Sequence, residues 1–175
     1  LGVPVFYADA VAKDQYRDPH LIQLLEDHLK MSLTDTHGAL DKKALAQRIF
    51  SDSKAREWVN GLIHPRVKHA FKAWQDSLNQ PAYVLREAAI LIESGAYRDC
   101  RAILVITAPE NQRIQRVMKR DGLSEQEVLK RLQSQWNDEQ RLRFATHTLS
   151  NPNGEDIAPK VLALHRQFLE LAQNP

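Results

Sequence analysis

The chain begins with the apolar stretch Val3-Pro4-Val5-Phe6-Tyr7-Ala8-Asp9, which stops on a carboxylate. Residues that are apolar in succession, rather than at every second position, are typical of a strand covered on both faces, as in the parallel sheets of α/β proteins. Ligands of such sheets bind beyond the carboxyl ends of the strands. The stretch therefore predicts a buried strand that brings Asp9 to a ligand, and the alternative is that Asp9 only caps the next helix.

The composition is that of a globular domain, with 175 residues, 43% hydrophobic and 26% charged. The formal net charge of +2 is too small to make nucleic acid the expected partner. No apolar run approaches the ~20 residues of a membrane span, so we expect no membrane partner. The single cysteine, Cys100, excludes an internal disulfide and a multi-cysteine zinc site, which is compatible with a cytoplasmic location.

A helical block follows the first strand. Asp18-Pro19 provides a favoured N-cap residue and a proline for the first helical position, which predicts a helix over residues 20–30. Apolar residues continue at helical spacing as far as Trp74. We expect His64-Pro65 to break this pattern, because the residue before proline is disfavoured in the helical region, and a longer amphipathic helix to restart after it.

Three further strands are predicted after this block. The first is a tract over residues 83–93 that ends on Glu93, and the others cover residues 102–107 and 146–151. Because helical segments separate the strands, the sheet should be mostly parallel. A closing helix over residues 157–171 completes the order.

Three arginines lie three and four residues apart on one predicted helix: Arg113, Arg116 and Arg120. Like charges at this spacing cost a helix about 0.2 to 0.5 kcal/mol per pair, so the stripe requires acidic partners or an anionic ligand. Glu110 and Asp121 are the candidate partners, and a solvated basic face is the alternative interpretation. Carboxylates at strand ends together with such arginines suit phosphoryl transfer, in which one carboxylate accepts a hydroxyl proton and arginines neutralise phosphate charge.

A set of short motifs spans nearly the whole chain in a fixed order. These motifs are Leu1-Gly2-Val3-Pro4-Val5, Ala8-Asp9, Gly38-Ala39-Leu40-Asp41, Leu45, Ile49-Phe50, Ile63-His64-Pro65, Ile90-Leu91-Ile92-Glu93, Gln112, Arg116, Arg120-Asp121-Gly122, Gln135 and Leu149-Ser150-Asn151. Each is weak alone, but together they resemble the dephospho-coenzyme A (dephospho-CoA) kinase family.

The resemblance implies an α/β fold with a P-loop NTPase-like parallel sheet flanked by helices. It implies a nucleotide-binding core in residues 1–18, 82–111 and 144–175, a helical substrate-binding (CoA) insertion in residues 19–81 and an Arg-rich helical lid in residues 112–143. The implied reaction is the ATP- and Mg²⁺-dependent phosphorylation of the ribose 3′-hydroxyl of dephospho-CoA, the last step of coenzyme A biosynthesis. We expect a monomer or a weak homo-oligomer.

The resemblance also assigns roles to individual residues. The residues implied for catalysis are Asp9, as the general base, and Arg141, and those implied for acceptor binding are Lys42, His64 and Glu93. The residues implied for ATP binding and the lid are Arg116, Arg120 and Asn151. Three positions depart from the family's pattern: Tyr7 and Thr146 stand where aspartates are common, and Lys42 stands where arginine is usual.

The largest departure is that no glycine-rich phosphate loop ending in Gly-Lys-Ser/Thr occurs in the sequence. Its backbone amides would cradle the phosphates and its hydroxyl would hold Mg²⁺, so we expect no metal ligand within residues 1–175. We hypothesise that about 20 residues, enough for one strand and the loop, precede Leu1 and that the printed stretch alone is nearly inactive. An intact mass equal to that of the printed residues would contradict this hypothesis.

Two other functions fit the residues. Another small-molecule kinase of the same fold is one, because a fold does not specify the acceptor. A non-catalytic module that binds a nucleotide through the three arginines is the other, and the missing phosphate loop favours it. A nucleic-acid binder is disfavoured because the aromatic residues are not interleaved with the basic ones.

Overall fold

The computed structural model describes residues 1–35 and 38–174. In chain order its elements are β1 (Val5–Tyr7), α1 (Ala8–Gln15), α2 (Pro19–Leu29), α3 (Lys42–Ser51), α4 (Ser53–Asp76), β2 (Leu85–Glu87), a short 3₁₀ helix (Ala96–Asp99), β3 (Leu104–Thr107), α5 (Glu110–Asp121), α6 (Glu125–Gln133), α7 (Asp138–Leu142), β4 (His147–Ser150) and α8 (Ala158–Gln173). The chain divides into two compact units, the first covering Leu1–Ala89 and the second beginning at Ile90.

Aspartates begin the helices of the first unit. Asp18 accepts a hydrogen bond from the backbone of His20 at 3.0 Å, and Pro19 occupies the first helical position, which confirms the predicted start of α2. Asp41 and Asp52 cap α3 and α4 in the same way. Each such cap satisfies backbone N–H groups that have no partner inside the helix, and replacing it with alanine typically costs about 1 kcal/mol.

The core of the first unit forms where α1, α2 and α4 meet β1. In β1, Phe6 is 4% exposed and its ring lies 5.1 Å from Phe71 and 5.4 Å from Trp74 of α4. β1 pairs in parallel with β2, with Phe6 opposite Arg86. The strand and its parallel pairing were both predicted, although the strand is shorter than the apolar stretch.

The predicted break at His64-Pro65 is wrong, because α4 runs through Pro65 without interruption. A proline inside a helix costs about 3 kcal/mol through the lost hydrogen bond and the ring clash. The helix buries Val59, Ile63 and Val67 on either side of it, and burying each such side chain contributes about 1.5 to 3 kcal/mol. Packing of the buried face therefore outweighs the local preference.

The second unit contains the other parallel pair. β3 lies beside β4, with Leu104 opposite His147 and Thr107 opposite Ser150, which confirms both predicted strands. Its core consists of Ile92, Ile103 and Val105 with partly buried aromatic neighbours. Parallel pairing in both units agrees with the predicted parallel sheet.

Residues 89–93 do not form the predicted strand. They lie in a series of turns in which the Ser94 amide donates to the Ile90 carbonyl at 2.9 Å and the Gly95 amide donates to Ile92 at 3.0 Å. Gly95 has φ +77°, the left-handed conformation that glycine adopts without strain. An apolar run shows that a segment is buried but does not distinguish a strand from a buried turn, and Ile92 is buried here.

Candidate active site

Asp9 lies in the first turn of α1, directly after β1. It is not the helix N-cap, because Tyr7 holds that position and makes no side-chain cap bond. Asp9 Oδ2 accepts a hydrogen bond from the backbone N–H of Ala89 at 3.3 Å, just beyond the end of β2. The half-buried carboxylate is therefore positioned at the carboxyl ends of both strands of the first unit, where the sequence placed a ligand.

The two other sequence-predicted residues of this unit lie in different surroundings. Lys42 is exposed as the first residue of α3. His64 is half-buried in the middle of α4, and burial, followed by the positive charge of Arg86, lowers its pKa below the usual 6.5. His64 is therefore neutral at pH 7 and offers one ring N–H and one acceptor nitrogen.

In the second unit, Glu93 and Arg141 form a nearly buried ion pair, with side chains 15% and 19% exposed. Arg141 donates to Glu93 Oε1 from Nε at 3.3 Å and from Nη2 at 3.1 Å. Arg141 also donates to Gln135 Oε1 at 3.2 Å, and the backbone N–H of Trp136 donates to Glu93 at 3.1 Å. Arg141 and Glu93 are 48 residues apart in sequence.

Arg116 is bound to the segment that follows β4. Its Nε and Nη2 donate to Asn153 Oδ1 at 3.1 and 2.6 Å, and Nη2 also donates to the carbonyl oxygen of Asn151 at 2.9 Å. Gln112 accepts from the Asn153 amide at 2.7 Å, and the Asn151 amide donates to Thr107 at 2.8 Å. The structure thus brings Arg116 and Asn151 together, with Asn153 joining them.

The other two arginines of the stripe have the acidic partners that were predicted. Arg113 lies 3.9 Å from Glu110 and also donates to Asp138 of α7 at 2.8 Å. Arg120 donates to Asp121 Oδ1 at 2.7 Å. The partner of Arg113 on α7 was not expected, because it is 25 residues away in sequence.

Comparison with known proteins identifies the family. The model of the dephospho-CoA kinase family matches residues 1–156. The chain belongs to the dephospho-CoA kinase family. Its members are transferases of the kinase class, and membership implies the use of ATP.

Two dephospho-CoA kinases and one solved structure align over nearly all of this chain. The enzyme from Idiomarina loihiensis is 30% identical over 171 residues, which cover 97% of this chain and 84% of that protein. The enzyme from Bacteroides fragilis is 32% identical over 169 residues, which cover 94% and 80%. The crystal structure of TT1252 from Thermus thermophilus has a TM-score of 0.80 at 31% identity, covering 95% of this chain and 85% of that one.

Thr146, one of the three departures from the family pattern that the resemblance indicated, bonds to the residue before β3. Its hydroxyl accepts from the Ile103 amide at 2.8 Å and donates to the Ile103 carbonyl at 3.1 Å. These bonds join the residue before β3 to the residue before β4.

Arg86 is a residue that sequence reasoning missed. It interrupts the apolar tract that precedes Glu93, and a charge in the middle of a strand covered on both faces was the signal available. Two of its guanidinium nitrogens, Nε and Nη1, are buried and have no hydrogen-bond acceptor in the part of the chain that the structure describes.

Among residues 1–35 and 38–174, no group of three or more His, Cys, Asp and Glu side chains is arranged to hold a metal ion. Protein sites for Mg²⁺ use carboxylates together with substrate phosphates. Within the same residues, no helix has the length and hydropathy needed to cross a membrane.

Proposed function

We propose that this protein transfers the γ-phosphoryl group of ATP to the ribose 3′-hydroxyl of dephospho-CoA. The observation that carries the proposal is the position of Asp9, whose Oδ2 is held by the Ala89 amide at 3.3 Å. Its other oxygen, Oδ1, accepts no hydrogen bond from the described residues, so it is available to a substrate hydroxyl. Family membership supplies the two substrates.

In the proposed reaction the 3′-oxygen attacks the γ-phosphorus of ATP while its proton moves to Asp9 Oδ1. The bond between the γ-phosphorus and the bridging oxygen breaks, ADP leaves, and Asp9 then releases the proton to solvent. The catalytic contribution of the protein is to position the groups and to stabilise the charge on the transferred phosphoryl group.

Arg141 is proposed to neutralise charge on the phosphoryl group. Glu93 and Gln135 accept from its Nε and Nη2, whereas Nη1 makes no hydrogen bond to the described residues. The buried carboxylate fixes the orientation of the guanidinium, so its remaining N–H groups are pre-organised for a phosphate oxygen.

The other assignments extend the proposal to the whole chain. Residues 19–81 are proposed to form the acceptor-binding part of the chain. The residues proposed to bind the acceptor are Lys42, His64 and Glu93. Residues 112–143 are proposed to form the lid, with Arg116 and Arg120 on the phosphates and Asn151 beside the adenine.

The proposal is tested by replacing Asp9 with asparagine in the gene product expressed from its natural start codon. A general base contributes about 10² to 10⁴ in rate, so Asp9→Asn should lower kcat by that factor and leave the KM for ATP nearly unchanged. Asp14→Asn is the matched control, because Asp14 lies on the same helix, is 61% exposed and forms an ion pair with Arg17. Equal kcat values for the two variants would remove Asp9 from the chemistry.

The acceptor is tested in the same assay by mass spectrometry of the product. Formation of coenzyme A from dephospho-CoA and ATP is the expected result. Turnover of another hydroxyl compound alone would indicate a different small-molecule kinase, and binding of dephospho-CoA without turnover would indicate a binding module.

A further inference from the structure

Arg86 is a cation inside the first unit whose position is set by β-sheet pairing. It lies opposite Phe6 in the parallel register of β1 and β2, so the two side chains share the face of the sheet that packs against α4. The guanidinium carbon lies 5.0 Å from the centre of the Phe71 ring on α4. The stacking holds the guanidinium in place but provides no hydrogen-bond acceptor.

The hydrogen bonds of Arg86 are incomplete. Nε and Nη1 are buried, and neither finds an acceptor among residues 1–35 and 38–174. Buried charged groups in proteins are nearly always paired, since an unpaired one carries its full desolvation cost. The side chain as a whole is only half-buried, so it borders space that a ligand can reach.

Two carboxylates of the neighbouring helix α1 are held by groups other than Arg86. Asp9 accepts from the Ala89 amide, and Asp14 pairs with Arg17. His64 lies on α4 two turns before Phe71, and its pKa is lowered by burial and, second, by the charge of Arg86. Among the described residues, no carboxylate accepts a hydrogen bond from Nε or Nη1 of Arg86.

We propose that Arg86 binds an anionic phosphate group of the acceptor substrate, which in dephospho-CoA is the diphosphate. The inference rests on the proposed function, because that function supplies an acceptor with a diphosphate. Guanidinium groups form strong charge-assisted hydrogen bonds with phosphate oxygens. Arg86 has donors that no acceptor among the described residues satisfies. Within the proposed acceptor site, Arg86 would bind the negative charge of the diphosphate, and His64 would provide further contacts with the acceptor.

The test compares two ligands that share a ribose and adenine but differ in the diphosphate. Dephospho-CoA is titrated calorimetrically into the natural gene product and into Arg86→Met, and adenosine is measured as a competitive inhibitor of both. Methionine keeps an unbranched apolar side chain against Phe71 and removes the charge. Arg86→Met should weaken dephospho-CoA binding about 10- to 100-fold and leave the inhibition constant of adenosine unchanged.

Two further variants separate binding from folding. Arg86→Lys keeps the charge and should recover part of the lost affinity, because lysine lacks the planar fork of arginine. Arg56→Met, which removes an exposed arginine of α4, is the matched control and should bind like the parent. Urea unfolding of Arg86→Met should show no loss of stability, since an unpaired buried charge has been removed.

The outcomes distinguish this inference from the proposed function. Turnover of dephospho-CoA with equal affinities for the parent and Arg86→Met overturns the role of Arg86 and leaves the kinase intact. An equal loss of affinity for dephospho-CoA and adenosine, or a loss of stability without a loss of affinity, assigns Arg86 to packing against Phe71 and also overturns the inference. A parent protein that does not bind dephospho-CoA refutes the proposed function itself.

Discussion

Replacing Glu93 with glutamine should lower the unfolding free energy of the second unit by an amount that follows from the contacts of Glu93. Glu93 Oε1 accepts two hydrogen bonds from Arg141, at 3.3 and 3.1 Å, and one from the Trp136 amide at 3.1 Å. Hydrogen bonds to a charged group contribute about 1.5 to 3 kcal/mol, and neutral ones about 1 kcal/mol. Because the side chains of Glu93 and Arg141 are both partly exposed, we expect Glu93→Gln to lower the unfolding free energy by about 2 kcal/mol.

The backbone amide of Trp136 provides a direct assay, since it donates to Glu93. Hydrogen exchange of this amide, followed by NMR, should be accelerated about 30-fold in Glu93→Gln, because 1.4 kcal/mol corresponds to a factor of ten. In an Arg141→Met background the same substitution should have a smaller effect, as expected for two groups that interact directly.

Glu110→Gln is the matched control for this experiment. Glu110 is 68% exposed and lies 3.9 Å from Arg113, so its removal should change stability by less than about 0.5 kcal/mol. Similar exchange rates of the Trp136 amide in Glu93→Gln and Glu110→Gln would refute the reasoning, because the buried pair would then contribute no more than a surface pair.

Two further predictions concern pH. The hydrogen bond from Arg120, followed by that from Arg131, lowers the pKa of Asp121 from 3.8 to about 2. The stability that ionised Asp121 contributes is therefore present above pH 3.8 and is lost as the pH falls towards 2. Asp121→Asn should flatten the dependence of unfolding free energy on pH in that window, and an NMR titration midpoint of Asp121 near 3.8 would contradict the prediction. The pKa of His64 is lowered mainly by burial and then by Arg86. The contribution of neutral His64 to folding stability is therefore present above pH 6.5 and is lost as the pH falls through the folded-state pKa. The NMR titration midpoint of His64 should move to higher pH in Arg86→Met, and an unchanged midpoint would show that the charge of Arg86 does not affect His64.

Local signals predicted the elements that depend on local interactions. Asp18-Pro19 predicted the start of α2 because capping involves neighbouring residues. The apolar run over residues 102–107 predicted β3 because β-branched residues favour a covered strand. The predictions failed at Pro65, where packing of α4 outweighs a local preference, and at residues 89–93, where an apolar run forms turns instead of a strand.

The contacts of the candidate site were harder to predict, because they join residues that are distant in sequence. Glu93 and Arg141 are 48 residues apart, and nothing in the pattern of charges distinguishes Arg141 from nearer arginines as the partner. The family resemblance selected both residues, but their pairing required the structure. Arg86 was missed because a charged residue within an apolar tract indicates that a partner of opposite charge or a ligand is needed, but it does not identify that partner.

The sequence also placed Arg113, Arg116 and Arg120 together as one basic stripe, and the structure distinguishes them by the charge of their partners. Arg113 pairs with Asp138 at 2.8 Å and Arg120 pairs with Asp121 at 2.7 Å, so a carboxylate lies against each guanidinium. A phosphate that binds to either arginine must compete with that carboxylate for the same donors.

Arg116 differs because its acceptors are neutral oxygens. It donates to the side-chain amide of Asn153 and to the backbone carbonyl of Asn151, and no carboxylate among the described residues lies within 4.0 Å of its nitrogens. These bonds orient the guanidinium without cancelling its charge, whereas an ion pair would do both. Arg116 is therefore the member of the stripe whose positive charge no carboxylate among the described residues offsets. The neutral side chain of Asn153 preserves that charge for the nucleotide phosphate that Arg116 is proposed to bind.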